Sequence, residues 1–154
     1  AQLDTRFGTA KERLTQLERL TGKPVMTTLQ EAERTGPIDH FDAMVIAPMT
    51  ATELNKLALG IYDTPVTLAA KALLRNEKPL VLGIASNDFL GLSGANLLRL
   101  KQLRHLFFVP FGQDDYVRKP NSLVSDWRLI ETALQAALED RQIQPLLLEG
   151  KGSQ

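Results

Sequence analysis

Met44-Val45-Ile46-Ala47-Pro48-Met49-Thr50-Ala51-Thr52-Glu53-Leu54-Asn55-Lys56 runs from a hydrophobic strand, through a proline turn, into a capped helix. Residues 43–47 are apolar and include Val45 and Ile46, as in a strand buried on both faces. Thr50 lies three residues before Glu53. That is the spacing of a capping box, in which each side chain satisfies a backbone donor at the other end of the first turn. A strand's carboxyl end that feeds a helix amino end is where open α/β sheets bind ligands. The segment therefore predicts both the fold class and the place of a site.

The pattern repeats outward. Thr64-Pro65 supplies a cap and a first-turn proline for a helix to about Arg75. Lys78-Pro79 leads into a second buried strand over 80–85, a loop over 86–93 and a helix from Ala95 to about Leu103. A third strand covers 106–109. Upstream, Thr9 and Glu12 form another capping-box pair. Ala10, Leu14, Leu17 and Leu20 follow at helical spacing, and Gly22 and Pro24 end that helix. Residues 24–29 read as a short edge strand, and 31–36 as a turn or short helix. A polar loop over 112–121 precedes a last helix, from Ser122 to about Asp140. Leu123, Trp127, Ile130, Leu134 and Leu138 share one face of it and read as core. Residues 144–149 suit a final extended segment. Strands alternating with helices predict a parallel sheet covered on both faces, with right-handed crossovers. Yet only three strong core strands are present, and a helix comes first. A doubly wound sheet usually opens with a strand whose glycine-rich turn holds a phosphate.

Composition narrows the function. The 154 residues suit one domain, 1–149, with a tail at 150–154. Hydrophobic residues at 44% and charged residues at 23% fit a soluble globular chain. Lys plus Arg equals Asp plus Glu, 18 against 18, so no broad positive field invites nucleic acid. With no cysteine there is no disulfide, thiolate ligand or cysteine nucleophile, which fits a reducing cytoplasm. No apolar run approaches the roughly 20 residues that span a bilayer. The polar opening, residues 1–6, does not read as a signal peptide.

Three loops on the carboxyl side of the strands hold the candidate residues. Thr50, Ala51 and Thr52 offer N–H groups and hydroxyls that suit a ligand, and equally a helix cap. Ser86, Asn87 and Asp88 suit a ligand edge, and equally a turn. Arg118 and Lys119 suit a carboxylate, because guanidinium groups pair with carboxylates bidentately. A solvated loop or a partner-binding surface fits them as well. His40 and His105 stand apart from any acidic cluster with metal spacing and read as structural or exposed. No zinc, calcium or P-loop motif occurs, so no metal is expected. No catalytic residue can be picked out.

These residues resemble a known family. Ala47-Pro48-Met49-Thr50-Ala51, followed by Lys56, Gly60, Asp63 and residues 65–73, is similar to the flavoprotein family. That family includes the homo-oligomeric flavin-containing cysteine decarboxylases and the prenyl-flavin synthases. Further matches are Phe7-Gly8-Thr9-Ala10, residues 69–76, Gly83-Ile84-Ala85-Ser86-Asn87-Asp88, residues 109–115 and Lys119-Pro120-Asn121-Ser122. The last two resemble the branch formed by B subunits of dipicolinate synthases, and the resemblance spans residues 3–149. It implies a flavodoxin-like three-layer α/β/α fold with a parallel sheet. Two family strands and a helix precede the point matching Ala1, so the fold is expected without its first two strands. The first of those strands ends in the turn that grips the flavin phosphate.

The resemblance further implies FMN as cofactor, with Thr50, Ala51, Thr52, Ser86 and Asn87 beside it. Asn87 matches a functional asparagine of the family. Asn87, Arg118 and Lys119 would meet a small dicarboxylate substrate. The implied reaction is oxidation of a dihydrodipicolinate-type precursor to pyridine-2,6-dicarboxylate in the mother-cell cytoplasm of a sporulating bacterium. The implied partners are further copies of the chain and the A subunit of dipicolinate synthase, which is similar to a nicotinamide-dependent dehydrogenase. Two departures matter. Thr52 stands where the family usually has asparagine, which argues against cysteine-decarboxylase activity. Glu53 puts a negative charge at a helix amino end, where it repels a phosphate. The alternatives are an FMN-dependent decarboxylase and a non-catalytic assembly subunit.

Overall fold

The computed structural model describes residues 9–35 and 41–150. Phe7, Gly8, His40 and residues 151–154 lie outside that range. Helix α1 (Ala10–Thr21) starts at the expected capping box, with Thr9 and Glu12 each satisfying the other's backbone, and ends at Gly22 in the left-handed conformation. None of its residues is buried. Residues 24–28 form no strand; helix α2 (Leu29–Glu33) follows them directly. The cause is Glu31. Its carboxylate accepts the N–H groups of both Thr27, at 2.7 Å, and Thr28, at 2.9 Å. Donors that an edge strand would offer to a sheet are spent on the helix cap.

Strand β1 (Met44–Met49) continues through a cis Ala47–Pro48 peptide into helix α3 (Ala51–Ala58). Helix α4 (Pro65–Arg75) has Thr64 as cap and proline at its start. Strand β2 (Leu80–Ser86), helix α5 (Gly94–Lys101) and strand β3 (Leu106–Phe108) come next. The three strands are parallel, with β2 in the middle: Val45 is level with Val81, and Val81 with Phe107. Leu80, Val81, Leu82 and Ile84 have no exposed surface. Burying each side chain of this size contributes about 1.5–3 kcal/mol.

The expected long last helix is replaced by three elements. Residues Leu123–Ser125 form strand β5, Trp127–Leu129 a 3-10 turn, and Ile130–Leu138 helix α6. Strand β4 (Phe111–Gly112) pairs antiparallel with β5, and β5 pairs antiparallel with the end of β2 at Ala85 and Ser86. The sheet is therefore mixed, where a parallel one was expected. Strand β3 leaves β2 after Leu82 and Val109, which frees the backbone of residues 84–86, and β5 takes that place. Near the expected extended segment, Leu147 bridges Phe111 in parallel: the Phe111 N–H donates to Leu146 O and the Leu148 N–H donates to Phe111 O. Among the described residues, β1 is paired on one edge, by β2.

Two cores lie on opposite faces of the sheet. Leu54 and Leu57 of α3, Ala70 of α4, and Leu97 and Leu100 of α5 pack on Ile46, Leu80, Leu82, Ile84 and Phe108. On the other face, Ala133 and Ala137 of α6 pack on Val81, Phe107 and Val109. Helix α6 thus buries its alanines, and Leu138 is exposed. Helices on both faces of one central sheet make the three-layer arrangement.

Candidate functional site

The carboxyl ends of β1 and β2 point the same way, and the candidate loops leave from them. Thr50 caps α3, its hydroxyl accepting the Glu53 N–H at 3.4 Å. The return half of the expected capping box is not made. Glu53 instead accepts the Thr50 hydroxyl proton at 3.1 Å. Thr50 and Thr52 are exposed, and Ala51 is half-buried.

The loop after β2 is tightly wound. Ser86 Oγ accepts the Asp88 N–H at 3.2 Å, which leaves its own proton free to donate. Asp88 takes the N–H and the hydroxyl of Ser93, at 3.2 and 2.5 Å. Phe89 anchors the loop in the core. Gly91 and Gly94 are required here, because a Cβ would come within 2.6 Å of Asp88 Oδ1 and 2.9 Å of Phe89 O respectively. Asn87 is exposed, and its amide makes no hydrogen bond among the described residues.

The third loop reaches the second through Leu90 N, which donates to Asn121 O at 3.0 Å. Within it, Lys119 Nζ lies 3.0 Å from Asp114 Oδ2. The Ser122 hydroxyl first, and Lys119 second, hold the Asp114 carboxyl below its usual range. Lys119 thus already has a carboxylate partner, and Arg118 is exposed with its backbone N–H on Asp115 Oδ1 at 3.0 Å. Thr50–Thr52, Ser86, Asn87 and the loop of Arg118 and Lys119 all leave the same end of the sheet.

Trp127 departs from its expected place in the core. It is 42% exposed and stands on Gly83, whose hydrogen leaves room for it. A Cβ on Gly83 would come within 2.9 Å of Trp127 Cζ3 and 3.3 Å of Ala47 Cβ. Beside it lies a cavity of about 520 Å³, lined by Trp127, Arg128, Gln113, Asp114, Ser125 and Glu149. Ligand pockets have volumes of this order. Arg128 is bound by Asp126 through two contacts, at 2.9 and 2.6 Å, and its guanidinium pKa is raised by that carboxylate. The helical spacing of Trp127 hid this cavity from sequence reading. Gly83 in the middle of a buried strand is the signal for the close approach of Trp127.

Of the two histidines, His105 sets Nδ1 3.1 Å from Asp140 Oδ1, at the amino end of β3 and far along the sheet from these loops. Among the described residues no three His, Asp or Glu side chains are grouped to hold a metal, and no helix is long and apolar enough to cross a membrane.

Residues 8–126 match the Flavoprotein family. The chain belongs to that family. It is 47% identical over 146 residues to the B subunit of dipicolinate synthase from Bacillus subtilis (strain 168), an alignment covering 95% of this chain and 73% of that protein. The crystal structure of the corresponding B subunit from Bacillus halodurans superposes with a TM-score of 0.89 and 43% identity, covering 96% of this chain and 76% of that one. The FMN-dependent cysteine decarboxylase SpaF, at 21% identity and a TM-score of 0.61 over 82% of this chain and 71% of its own, shares the fold. The fold is thus the flavodoxin-like one of flavoproteins.

The hydroxyls of Thr52 and Ser86 and the exposed Asn87 amide suit a flavin's ring edge, whereas the Thr50 hydroxyl proton is already taken by Glu53. The described residues are a poor cradle for its phosphate, since Glu53 puts a carboxylate at the amino end of α3.

Proposed function

We propose that the chain acts as the flavoprotein-like B subunit of a dipicolinate synthase. The observation that carries this is the 47% identity to the Bacillus subtilis protein over 95% of the chain. Its partner is then the A subunit of that synthase, and the protein works in the cytoplasm of the mother cell during sporulation. The substrate is a dihydrodipicolinate-type precursor. Its conversion to pyridine-2,6-dicarboxylate removes a hydride and a proton from the ring. FMN, when bound, supplies an acceptor for that hydride. The chain's own residues orient the reactants. Thr50, Ala51, Thr52, Ser86 and Asn87 meet the flavin edge, while Asn87, Arg118 and Lys119 meet the carboxylates. Lys119 would have to share its charge with Asp114. Self-association into a homo-oligomer belongs to the same reading.

The test is a visible absorption spectrum of the purified protein, first by itself and then with the A subunit, together with assay of pyridine-2,6-dicarboxylate formation. A flavin spectrum is expected, as is product formation that depends on both proteins. Product formation at full rate by the isolated A subunit overturns the enzymatic reading. A second reading, a non-catalytic assembly subunit, is favoured by Glu53 at the helix amino end. It expects no flavin spectrum, and a stable complex with the A subunit. An FMN-dependent decarboxylase is the third reading, and Thr52 counts against it.

A further inference from the structure

Asn55 joins two of the candidate loops. It lies on α3, one turn beyond Thr50–Thr52, and its side chain is half-buried. Its Nδ2 donates to Ser93 Oγ at 2.9 Å, across 38 residues of sequence. Its Oδ1 accepts from Asn96 Nδ2 at 3.0 Å. Ser93, only 1% exposed, passes its own proton to Asp88 Oδ2. Asp88 in turn uses its N–H on Ser86 Oγ. One chain of hydrogen bonds therefore runs from the first turns of α3 to the hydroxyl of Ser86. A separate backbone bond, from Leu90 N to Asn121 O, ties the same loop to the third.

Every polar atom in the middle of this chain is used with matched polarity. Asn55 gives and receives; Ser93 receives from Asn55 and gives to Asp88. Networks completed in this way hold one arrangement, and a half-broken one is costly. Neither α3 nor α5 needs the link to fold, since each already packs on the sheet through leucines.

We infer that Asn55 is a positioning residue, which through Ser93 and Asp88 fixes Thr50–Thr52 and Ser86–Asn87 as a single ligand-facing unit. This rests on the flavin reading above for its ligand, though not for the coupling itself. The loops leave different strands, and a flat ligand spanning them needs a constant gap between them. The clamp lies behind both loops and leaves Thr50, Thr52 and Asn87 exposed.

Two measurements on the full chain test this. The first is hydrogen exchange of Asn55→Asp, which keeps the acceptor for Asn96 and removes the donor to Ser93. Exchange over residues 86–94 is expected to rise about five- to tenfold, the effect of one hydrogen bond, with residues 106–108 and 130–138 unchanged. Asn55→Asp should add little on top of Ser93→Ala, since loss of the Ser93 hydroxyl already breaks the Asn55 link along with the bond to Asp88. Unchanged exchange at 86–94, or fully additive effects, overturns the coupling. The second is titration with FMN well below the unfolding temperature, where both proteins are folded. Asn55→Asp should raise the half-saturating concentration by about the same factor, and Asn55→Ala likewise. Equal binding by wild type and variants overturns the positioning role while leaving the flavin reading intact. If the wild type binds no FMN, the flavin reading fails, and the exchange result alone decides the coupling.

Discussion

The carboxamide of Gln142 occupies the place of a neighbouring strand beside Phe108. Its Oε1 accepts the Phe108 N–H at 2.8 Å and its Nε2 donates to the Phe108 carbonyl at 2.7 Å. Strand β3 is only three residues long, and this side chain closes the end of its open edge. Open edges recruit other chains, so a capped edge limits self-association. Gln142→Ala would leave two backbone groups of a fully buried residue without partners. The expected cost is about 1–3 kcal/mol. Denaturant unfolding checks the stability, and light scattering should show faster aggregation on heating.

Ser125 does similar work where β3 leaves β2. Its hydroxyl accepts the Ile84 N–H at 2.9 Å and donates to the Val109 carbonyl at 3.1 Å, inside the core. Ser125→Ala should lower stability by about 1–3 kcal/mol, whereas Ser125→Thr, which keeps the hydroxyl, should recover part of the loss if its methyl is accommodated. A pair of unfolding curves decides it, and equal stability of Ser125→Ala and wild type would show that the bridge contributes nothing.

Gly83→Ala should displace Trp127, because the new methyl has no room beneath the ring. Overpacking of this kind costs about 1–3 kcal/mol. As Trp127 is the sole tryptophan, its emission reports the movement directly. A shifted emission maximum is expected. An unchanged spectrum at unchanged stability would mean that the ring does not rest on Gly83.

The sequence made β1, α3, α4, β2 and α5 legible because their signals are local. Hydrophobic runs, threonine caps and Pro65 each act within a few residues. Residues 24–28 misled because Val25 and the two threonines suit a strand, while the N–H groups of Thr27 and Thr28 go to one carboxylate at Glu31. Residues 123–129 misled for a different reason. Leu123, Trp127, Ile130 and Leu134 fit a helical period, but Leu123 and Val124 answer to an edge of β2 that exists only once β3 has diverged. Tertiary pairing overrides local pattern in such places. The positions of the loops at 50–52 and 86–87, after parallel strands at one end of the sheet, were legible. The Asn55–Ser93 link and the Gly83–Trp127 contact were not, since each joins residues about forty positions apart.

Acid should loosen the third loop. The Asp114 carboxyl titrates below its usual range, held there by Ser122 and then Lys119. A carboxyl whose folded pKa is depressed stabilises the fold above its unfolded value, about 3.9, and that stabilisation is lost as pH falls through the folded value. Asp114→Asn should therefore be less stable than wild type at pH 7, with the difference shrinking below about pH 4. Denaturant midpoints at pH 7 and pH 3 check this. A constant difference at both would show that Asp114 carries no pH-linked stability.

Glu53 sets two demands on the same helix end against each other. The first turn of α3 carries the partial positive charge of its N–H groups, and a carboxylate there stabilises the helix by about 0.3–1 kcal/mol. That same carboxylate accepts the Thr50 hydroxyl proton, so it draws in the group that would otherwise donate to a ligand. An incoming phosphate meets a negative charge in place of free donors. Glu53→Gln removes the charge and keeps the size. It should lower stability by a few tenths of a kcal/mol, within the range for a charge at a helix end. It should also tighten FMN binding several-fold at low salt, and the gain should fade at high ionic strength, where exposed charges are screened. Riboflavin, which lacks the phosphate, is the control and should bind both proteins equally. If FMN and riboflavin gain equally from Glu53→Gln, the phosphate is not what Glu53 opposes. If neither gains, the flavin does not approach this helix end.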